Sequence, residues 1–403
     1  MLDLTKLAGK LPGISKHLTQ EATAAKNRLQ TAEQLMQQAQ THHLELVKKQ
    51  QDWKHRLIFS AAEPVEALNT RIAIPAPPRT HTVIATDGSQ IAPSHHEIAY
   101  CYLINVGRVV LHYGVSRHPL LDSLPEVYYR AEDLYESRQW GIRTEEWMGY
   151  RRTATEATVL ADLACSLWET NPPPVPAISL VDGSLIYWFL EGIASEARDI
   201  ILGEILDAWD KLEEAGIPIV GYLSASRSME AINFLRLEAC IHKEPNCISY
   251  CAPDLDFSSP GQPKKAPCQV FEPLRDAALW QTALQPGQRS PLWRSCAPIL
   301  QCYGHHTVYF CYVNVGSEIA RIEVPGWVVE NPDLLETTLS LTVAQVQKGY
   351  GYPVALAEAH NQAVVKGGDR YHFFALLERE MIKAGLKNVG TSYKESRKRG
   401  SIA

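Results

Sequence analysis

Long hydrophobic runs are missing from this sequence. Of its 403 residues 45% are hydrophobic, yet no stretch of about 18 uninterrupted apolar residues occurs, so we expect no membrane span. The opening residues Met1–Lys6 lack the apolar core of a signal peptide. We therefore expect a cytoplasmic protein.

Paired cysteines are missing as well. The 9 cysteines are scattered and odd in number, and none forms a CxxC pair. This spacing excludes a zinc ribbon and a secreted disulfide framework, and it favours free thiols in a reducing compartment.

Positive charge is not in excess either. The formal net charge is -6, so the overall field repels nucleic acid, and any DNA contact has to use local basic patches or bound cations. No GxxxxGK[ST] motif occurs, which indicates that the chain does not power translocation by itself.

The N-terminal part is rich in helix formers. Apolar or small residues recur at helical spacing through Leu29, Ala32 and Ala39, which predicts one long amphipathic helix over residues 13–58. It either docks on its own domain or on a copy of itself, or it serves as an arm for a partner. Prolines at 75, 77 and 78 then mark a linker, so we expect a helical arm and linker over 1–78.

Residues 79–385 read as an α/β domain. An apolar strand ends at Asp87, and two strand-like runs on either side of Gly107 follow with hairpin spacing. Three antiparallel strands, the first ending in an aspartate, are typical of a ribonuclease H-like sheet. Alternating strands and helices follow, so the expected fold is a mixed sheet flanked by helices. We expect an insertion at about 252–300 and a basic flexible tail over 386–403.

The same Asp-Gly-Ser sequence follows two apolar strands, at Asp87 and at Asp182. A strand holds such a carboxylate rigidly, and the next glycine permits close approach of a phosphate. Side by side, the two charges repel by about 4 kcal/mol at about 4 Å and an effective dielectric of about 20. A divalent cation such as Mg²⁺ or Mn²⁺ relieves that repulsion. The alternative is a pair of ordinary Asp-Gly turns.

A third feature is the segment from Tyr352 to His360. Pro353 can start a helix, which puts His360 about two turns along it. Both side chains could then border one pocket. A single histidine on a helix is, however, more often a surface or core residue.

These motifs together resemble the NurA family of nucleases, over about residues 80 to 385. The resemblance rests on the two Asp-Gly-Ser motifs, on the stretch 284–290, on Tyr352-Pro353 and on Ala359-His360. It implies a site in which Asp87, Asp182 and His360 surround manganese with a glutamate, and Tyr352 lies beside them. Glu156 is our choice for the glutamate, and Asp162 on the same helix is the alternative.

The resemblance also implies a function. It points to a Mn²⁺-dependent DNA nuclease, with Mg²⁺ as a second possibility, that acts as a 5′-3′ exonuclease and also as a single-strand endonuclease. The process would be DNA end resection in double-strand break repair, and the expected assembly is a homodimer with a HerA-type hexameric ATPase translocase. Two other functions stay open, a non-catalytic DNA- or ATPase-binding subunit and an aspartate-nucleophile phosphatase. The phosphatase is disfavoured because Asp87 lacks a second aspartate two residues later.

Basic and aromatic residues suggest where DNA would lie. Arg289, Trp293 and Arg294 form a segment that could grip a backbone or stack a base. Arg151 and Arg152 could line the same groove. Each group could equally be a solvated surface or, for Trp293, part of the core.

Overall fold

The computed structural model describes residues 4–8, 11–95, 97–170, 175–251 and 266–385. The chain forms two compact units, each built from two segments. The first unit takes residues 1–74 and 223–326, and the second takes residues 75–222 and 327–403.

The strands and helices are numbered here in chain order. The strands are β1 (Glu63–Pro64), β2 (Ile72–Ala73), β3 (His81–Ile91), β4 (Tyr102–Tyr113), β5 (Leu120–Tyr128), β6 (Ala177–Asp182), β7 (Ile219–Leu223), β8 (Gln288–Arg289), β9 (Trp293–Arg294), β10 (Val308–Asn314) and β11 (Ile319–Pro325). The helices are α1 (Leu4–Ala8), α2 (Leu11–Gln40), α3 (His43–Trp53), α4 (Ala131–Tyr135), α5 (Thr144–Thr170), α6 (Ser195–Glu214), α7 (Glu230–Glu238), α8 (Cys247–Tyr250), α9 (Asp276–Ala283), α10 (Gly326–Val329), α11 (Pro332–Lys348), α12 (Val354–Ala363) and α13 (Gly367–Lys383).

The second unit is built on a mixed sheet in the order β7-β6-β3-β4-β5. Strand β4 is antiparallel to both β3 and β5, whereas β6 lies parallel to both β3 and β7. The first half of β3 is an apolar run in which Val83, Ile84 and Ala85 are fully buried, as expected for a strand covered on both faces. Helices α5 and α12 pack on β3 and β4. This arrangement confirms the predicted α/β fold with helices flanking a mixed sheet.

Strands β3 and β4 are longer than the sequence suggested. β3 does not end at Asp87 but continues to Ile91, and β4 passes straight through Gly107 without a hairpin. The third antiparallel strand is β5, which the sequence did not reveal. Gly107 serves close packing, because a Cβ atom there would lie 2.3 Å from the carbonyl oxygen of Ala359 in α12.

The first unit has an antiparallel sheet in the order β1-β9-β10-β11, with β8 joining β2 to β10. Its core contains Trp280, Trp293 and Phe310, which pack with α7 and with the second half of α2. A buried ion-pair cluster joins Arg321 to Glu230 at 2.7 Å. Burial of this pair is tolerated because both charges are partnered.

The predicted N-terminal helix is two helices, α2 and α3, separated at Thr41 and His42. His42 Nε2 lies 2.8 Å from the Glu238 carboxylate on α7. Ala32 and Ala39 of α2 are fully buried in the core of the first unit. The C-terminal half of α2 therefore docks on its own unit, which agrees with the first of the two interpretations.

Several predictions fall outside the described residues. They include the basic tail over 386–403 and the Pro260–Lys265 part of the predicted insertion. The predicted division into arm, nuclease domain and tail stays a prediction, because the two units follow packing rather than continuous stretches of chain. Among the described helices, none has both the length and the apolar character required to cross a membrane.

Candidate metal centre

Two neighbouring parallel strands place Asp87 and Asp182 side by side. Thr86 of β3 is in register with Val181 of β6, and each is followed directly by the aspartate. Neighbouring strands lie about 4.8 Å apart. Asp182 is the last residue of β6, where Gly183 turns the chain with a φ of 123°. The repeated Asp-Gly-Ser sequence thus brings two carboxylates to one place in the sheet.

Glu156 comes from α5, which packs on β3. The Thr86 hydroxyl donates a 3.1 Å hydrogen bond to the Glu156 carbonyl oxygen and fixes the helix at this point. A Cβ atom on Gly88 would lie 2.1 Å from Glu156 Oε1, so only glycine lets the glutamate come this close. Asp162 lies further along α5 and is an exposed partner of Lys211 at 2.8 Å. The structure therefore brings Glu156, and not Asp162, to the two aspartates.

The α12 region supplies the other two predicted residues. His360 Nδ1 lies 2.8 Å from Asp87 Oδ2, and the backbone amide of Gly88 donates to Asp87 Oδ1 at 2.8 Å. The Tyr352 hydroxyl donates a hydrogen bond to Asp182. The five predicted site residues from four separate elements therefore lie together.

A pair of polar residues fastens the end of α12 to the sheet. Asn105 Nδ2 donates to the Ala363 carbonyl oxygen at 2.7 Å, and the Ser89 hydroxyl donates to the same oxygen. The Val365 amide donates to Ser89 Oγ at 3.2 Å. Sequence reasoning missed Asn105, although a buried asparagine inside an apolar strand is a signal that a polar partner lies nearby. These contacts hold the helix that carries His360.

The acidic groups are held in a setting that disfavours their charge. Burial raises the pKa of Glu156 to about 7; the Arg152 guanidinium opposes this, while the negative charges of Asp87 and Asp182 add to the increase. Burial also raises the pKa of Asp182, against the hydrogen bond from Tyr352, which lowers it. A cation placed among these groups would favour their ionised forms.

The donor set fits a divalent cation. Three carboxylates and an imidazole lie near one another, and carboxylate oxygens are the ligands that Mg²⁺ and Mn²⁺ prefer. Arg152 is a partial counter-ion, because its Nε lies 3.2 Å from Glu156 Oε1 while its Nη1 donates to Gln90 Oε1 at 2.9 Å. Burial is the main cause of the raised pKa values of Glu156 and Asp182, and the negative charge of Asp87 raises both further.

The predicted DNA-binding residues of the second unit have different surroundings. Arg152 lies at the acidic cluster through its contact with Glu156. Arg151, its neighbour in α5, instead forms an ion pair with Glu204 of α6. Arg152 is therefore the one of the two that borders the candidate site.

The predicted segment of Arg289, Trp293 and Arg294 is not an exposed loop. It forms β8 and β9, and Trp293 is only 2% exposed in the core of the first unit. Arg289 is buried and forms two hydrogen bonds to Glu66, at 2.7 and 2.8 Å. Arg294 pairs with Glu63. The predicted base stacking by Trp293 and phosphate contact by Arg289 are therefore wrong. Both side chains are buried and already have partners within the protein, so their roles are structural.

Comparison with known proteins gives one family and several related folds. The family model described as NurA domain matches residues 81–365. In fold the chain is similar to the crystal structure of the NurA nuclease from Sulfolobus solfataricus, with 13% identity, 95% of this chain and 98% of that chain covered, and a TM-score of 0.50. No curated protein matches the chain.

Two further structures are similar at lower TM-scores. A NurA bound to dAMP and manganese shares 12% identity over 81% of this chain and 92% of that chain, with a TM-score of 0.36. A NurA with manganese shares 11% identity over 89% of this chain and 99% of that chain, with a TM-score of 0.36.

Proposed function

The chain belongs to the NurA family, and on this premise we propose that it is a metal-dependent nuclease that hydrolyses phosphodiester bonds in DNA. The observation that carries this proposal is the meeting of Asp87, Glu156, Asp182 and His360 in one site of the second unit. Acidic residues without a cation would repel a phosphate, whereas the same residues around a cation would attract it.

Four residues would hold the cation: Asp87, Glu156, Asp182 and His360. We propose Mn²⁺, with Mg²⁺ as the alternative, because an imidazole suits Mn²⁺ better than it suits Mg²⁺. A bound cation of this kind supplies Lewis acidity and lowers the pKa of a coordinated water. Structures of related proteins with manganese agree with this choice.

The protein's own groups prepare the site in three ways. Asp87 accepts a hydrogen bond from His360 Nδ1, which orients the ring and leaves Nε2 to act as a ligand or base. Burial raises the pKa of Tyr352, and the negative charge of Asp182 raises it further. The hydroxyl therefore stays protonated and acts as a hydrogen-bond donor. Arg152 offers a positive charge next to Glu156 for a phosphate oxygen.

The finer assignment follows the family resemblance. We propose 5′-3′ exonuclease activity, together with single-strand endonuclease activity, in DNA end resection during double-strand break repair. The proposed partners are a HerA-type hexameric ATPase translocase and a second copy of this chain. No GxxxxGK[ST] motif occurs in the sequence, and the proposal of an ATPase partner rests on the family resemblance alone.

A cleavage assay tests the proposed activity. Single-stranded and duplex DNA, each labelled at one end, would be incubated with the full chain in Mn²⁺, in Mg²⁺ and in EDTA. We expect cleavage with Mn²⁺, none in EDTA, and none by Asp87→Ala. Asp162→Asn, an acidic change on α5 outside the site, should cleave like the unaltered protein.

Two outcomes would contradict the proposal. Cleavage by Asp87→Ala at the full rate would show that this site does not catalyse the reaction. No cleavage by the unaltered protein under any metal condition, with DNA binding intact, would instead indicate a non-catalytic DNA-binding subunit.

A further inference from the structure

A polar cavity lies in the second unit, where β3 begins. It has a volume of about 480 Å³, and its lining includes Arg79, His81, Tyr113, Gln347 and Lys348. His81 begins β3, six residues before Asp87, which corresponds to about 20 Å along a strand. The cavity is therefore separate from the acidic cluster.

The charged side chains that line this cavity are both positive. Arg79 and Lys348 are exposed cations, and among the described residues that line the cavity none has a carboxylate. Burial lowers the pKa of His81, and the nearby Lys348 lowers it further, against the hydrogen bond to Pro78. The imidazole is thus neutral at physiological pH, and the positive charge comes from the other two side chains.

His81 contributes a polar atom that lacks a partner. The side chain is only 3% exposed, and its Nδ1 donates a 2.7 Å hydrogen bond to the Pro78 carbonyl oxygen. Nε2 is therefore an acceptor, and within the described part of the chain it has no hydrogen-bond partner. A buried acceptor without a donor is uncommon in folded proteins. His81 therefore lines the cavity as a buried, neutral side chain whose Nε2 atom is closed to solvent, and the two cations remain the groups that a ligand can reach.

The ring of Tyr113 contacts both His81 and Lys348 in the lining of the cavity. Tyr113 stacks on His81 with ring centroids 4.5 Å apart, and the Lys348 ammonium lies 4.7 Å from the Tyr113 centroid. Gln345 Nε2 donates to the Tyr113 hydroxyl at 3.1 Å. Because the ring already contacts two side chains, it favours recognition of a compact anion over stacking of a base.

We propose that this cavity binds a phosphate group, held by Arg79 and Lys348. The group can come from the backbone of a DNA strand or from free phosphate, including a mononucleotide. Only the DNA source rests on the proposed nuclease function, since phosphate binding needs no metal at the acidic site.

Binding measurements in EDTA test the proposal without any dependence on cleavage. Inorganic phosphate would be titrated into the full chain by calorimetry. A fluorescently labelled single-stranded oligonucleotide would be titrated separately by anisotropy. The variants are Lys348→Gln and Arg79→Gln, and the control is Lys243→Gln, which removes an exposed charge from the other unit. Thermal melting by circular dichroism would verify that each variant is folded.

We expect both cavity variants to weaken phosphate binding by about tenfold, as for a lost charge-assisted hydrogen bond. The control should change it by less than about twofold. If the affinity for the oligonucleotide falls in the same two variants, the bound phosphate group comes from the DNA backbone. If that affinity does not fall, the ligand is free phosphate or a mononucleotide. Equal affinities of all four proteins for both ligands would overturn the proposal, and so would a failure of the unaltered chain to bind either.

Discussion

Gly107 lies directly opposite Asp87 in the pairing of β3 with β4. At this position α12 approaches the sheet so closely that a Cβ atom on Gly107 would lie 2.3 Å from the Ala359 carbonyl oxygen and 2.5 Å from the Ala363 amide nitrogen. His360 follows Ala359 directly. The contact between α12 and Gly107 therefore sets the distance between the His360 imidazole and Asp87.

Gly107→Ala should push α12 away from the sheet. Overpacking of this kind costs about 1–3 kcal/mol in the free energy of unfolding, and displacement of His360 should lower the cleavage rate by about tenfold or more. Urea unfolding and the DNA cleavage assay measure the two effects. Gly203→Ala is the control, because this helical glycine has open space around it. Full activity in Gly107→Ala would show that the contact does not position His360.

The stability of the metal-free protein should depend on pH through Glu156. Its pKa is about 7 in the folded chain against an ordinary value of 4.5, so between these values the folded chain holds a proton that the unfolded chain has released. Stability contributed by this group is therefore lost as pH rises through that window, by at most about 3 kcal/mol.

Glu156→Gln should remove that loss. Denaturant unfolding in EDTA across the window should give a flatter pH dependence for Glu156→Gln than for the unaltered chain, whereas Asp162→Asn should keep the original slope. Identical slopes for all three proteins would show that Glu156 does not titrate in this range.

Tyr352→Phe should weaken metal binding in a pH-dependent way. The Tyr352 hydroxyl donates to Asp182 and lowers its pKa, so the variant should hold a proton on Asp182 more strongly and a metal would have to displace it. We expect about tenfold weaker Mn²⁺ binding at mildly acidic pH and a smaller loss at alkaline pH. Calorimetry measures both, with Tyr350→Phe as the control, since Tyr350 is 98% exposed. A loss of equal size at both pH values would contradict the mechanism.

Trp293→Phe should affect stability and leave DNA binding unchanged. Trp293 packs edge-on against Phe234 in the core of the first unit, with ring centroids 5.9 Å apart. The smaller ring leaves a space that costs about 1–3 kcal/mol. Anisotropy with labelled DNA should give the same affinity as the unaltered chain. A selective loss of DNA affinity without loss of stability would restore the base-stacking interpretation of the sequence.

Local patterns in the sequence predicted much of the site. Apolar strands followed by Asp-Gly-Ser identified Asp87 and Asp182, because strand and motif are contiguous in the chain. The helix after Pro353 was recognised from proline and from helix-forming residues. These features depend on short stretches, so they can be read without tertiary contacts.

Long-range packing decided the rest. Glu156 and Asp162 stand on one helix, and only the packing of α5 against β3 distinguishes them. The sequence predicts a turn at Gly107, because nothing in it shows that α12 crosses the strand there. The sequence predicts that Arg289 is free to contact phosphate, because its partner Glu66 lies more than two hundred residues earlier in the chain.

Binding of Mn²⁺ tests the central claim most directly. Calorimetry would compare the unaltered chain with Asp87→Asn, Asp182→Asn and the control Asp162→Asn, each verified as folded by circular dichroism. We predict that Mn²⁺ binds the unaltered chain and the control equally, and binds the first two variants at least about a hundredfold more weakly. Unchanged Mn²⁺ affinity in Asp87→Asn and Asp182→Asn would contradict a metal centre at the meeting of β3 and β6.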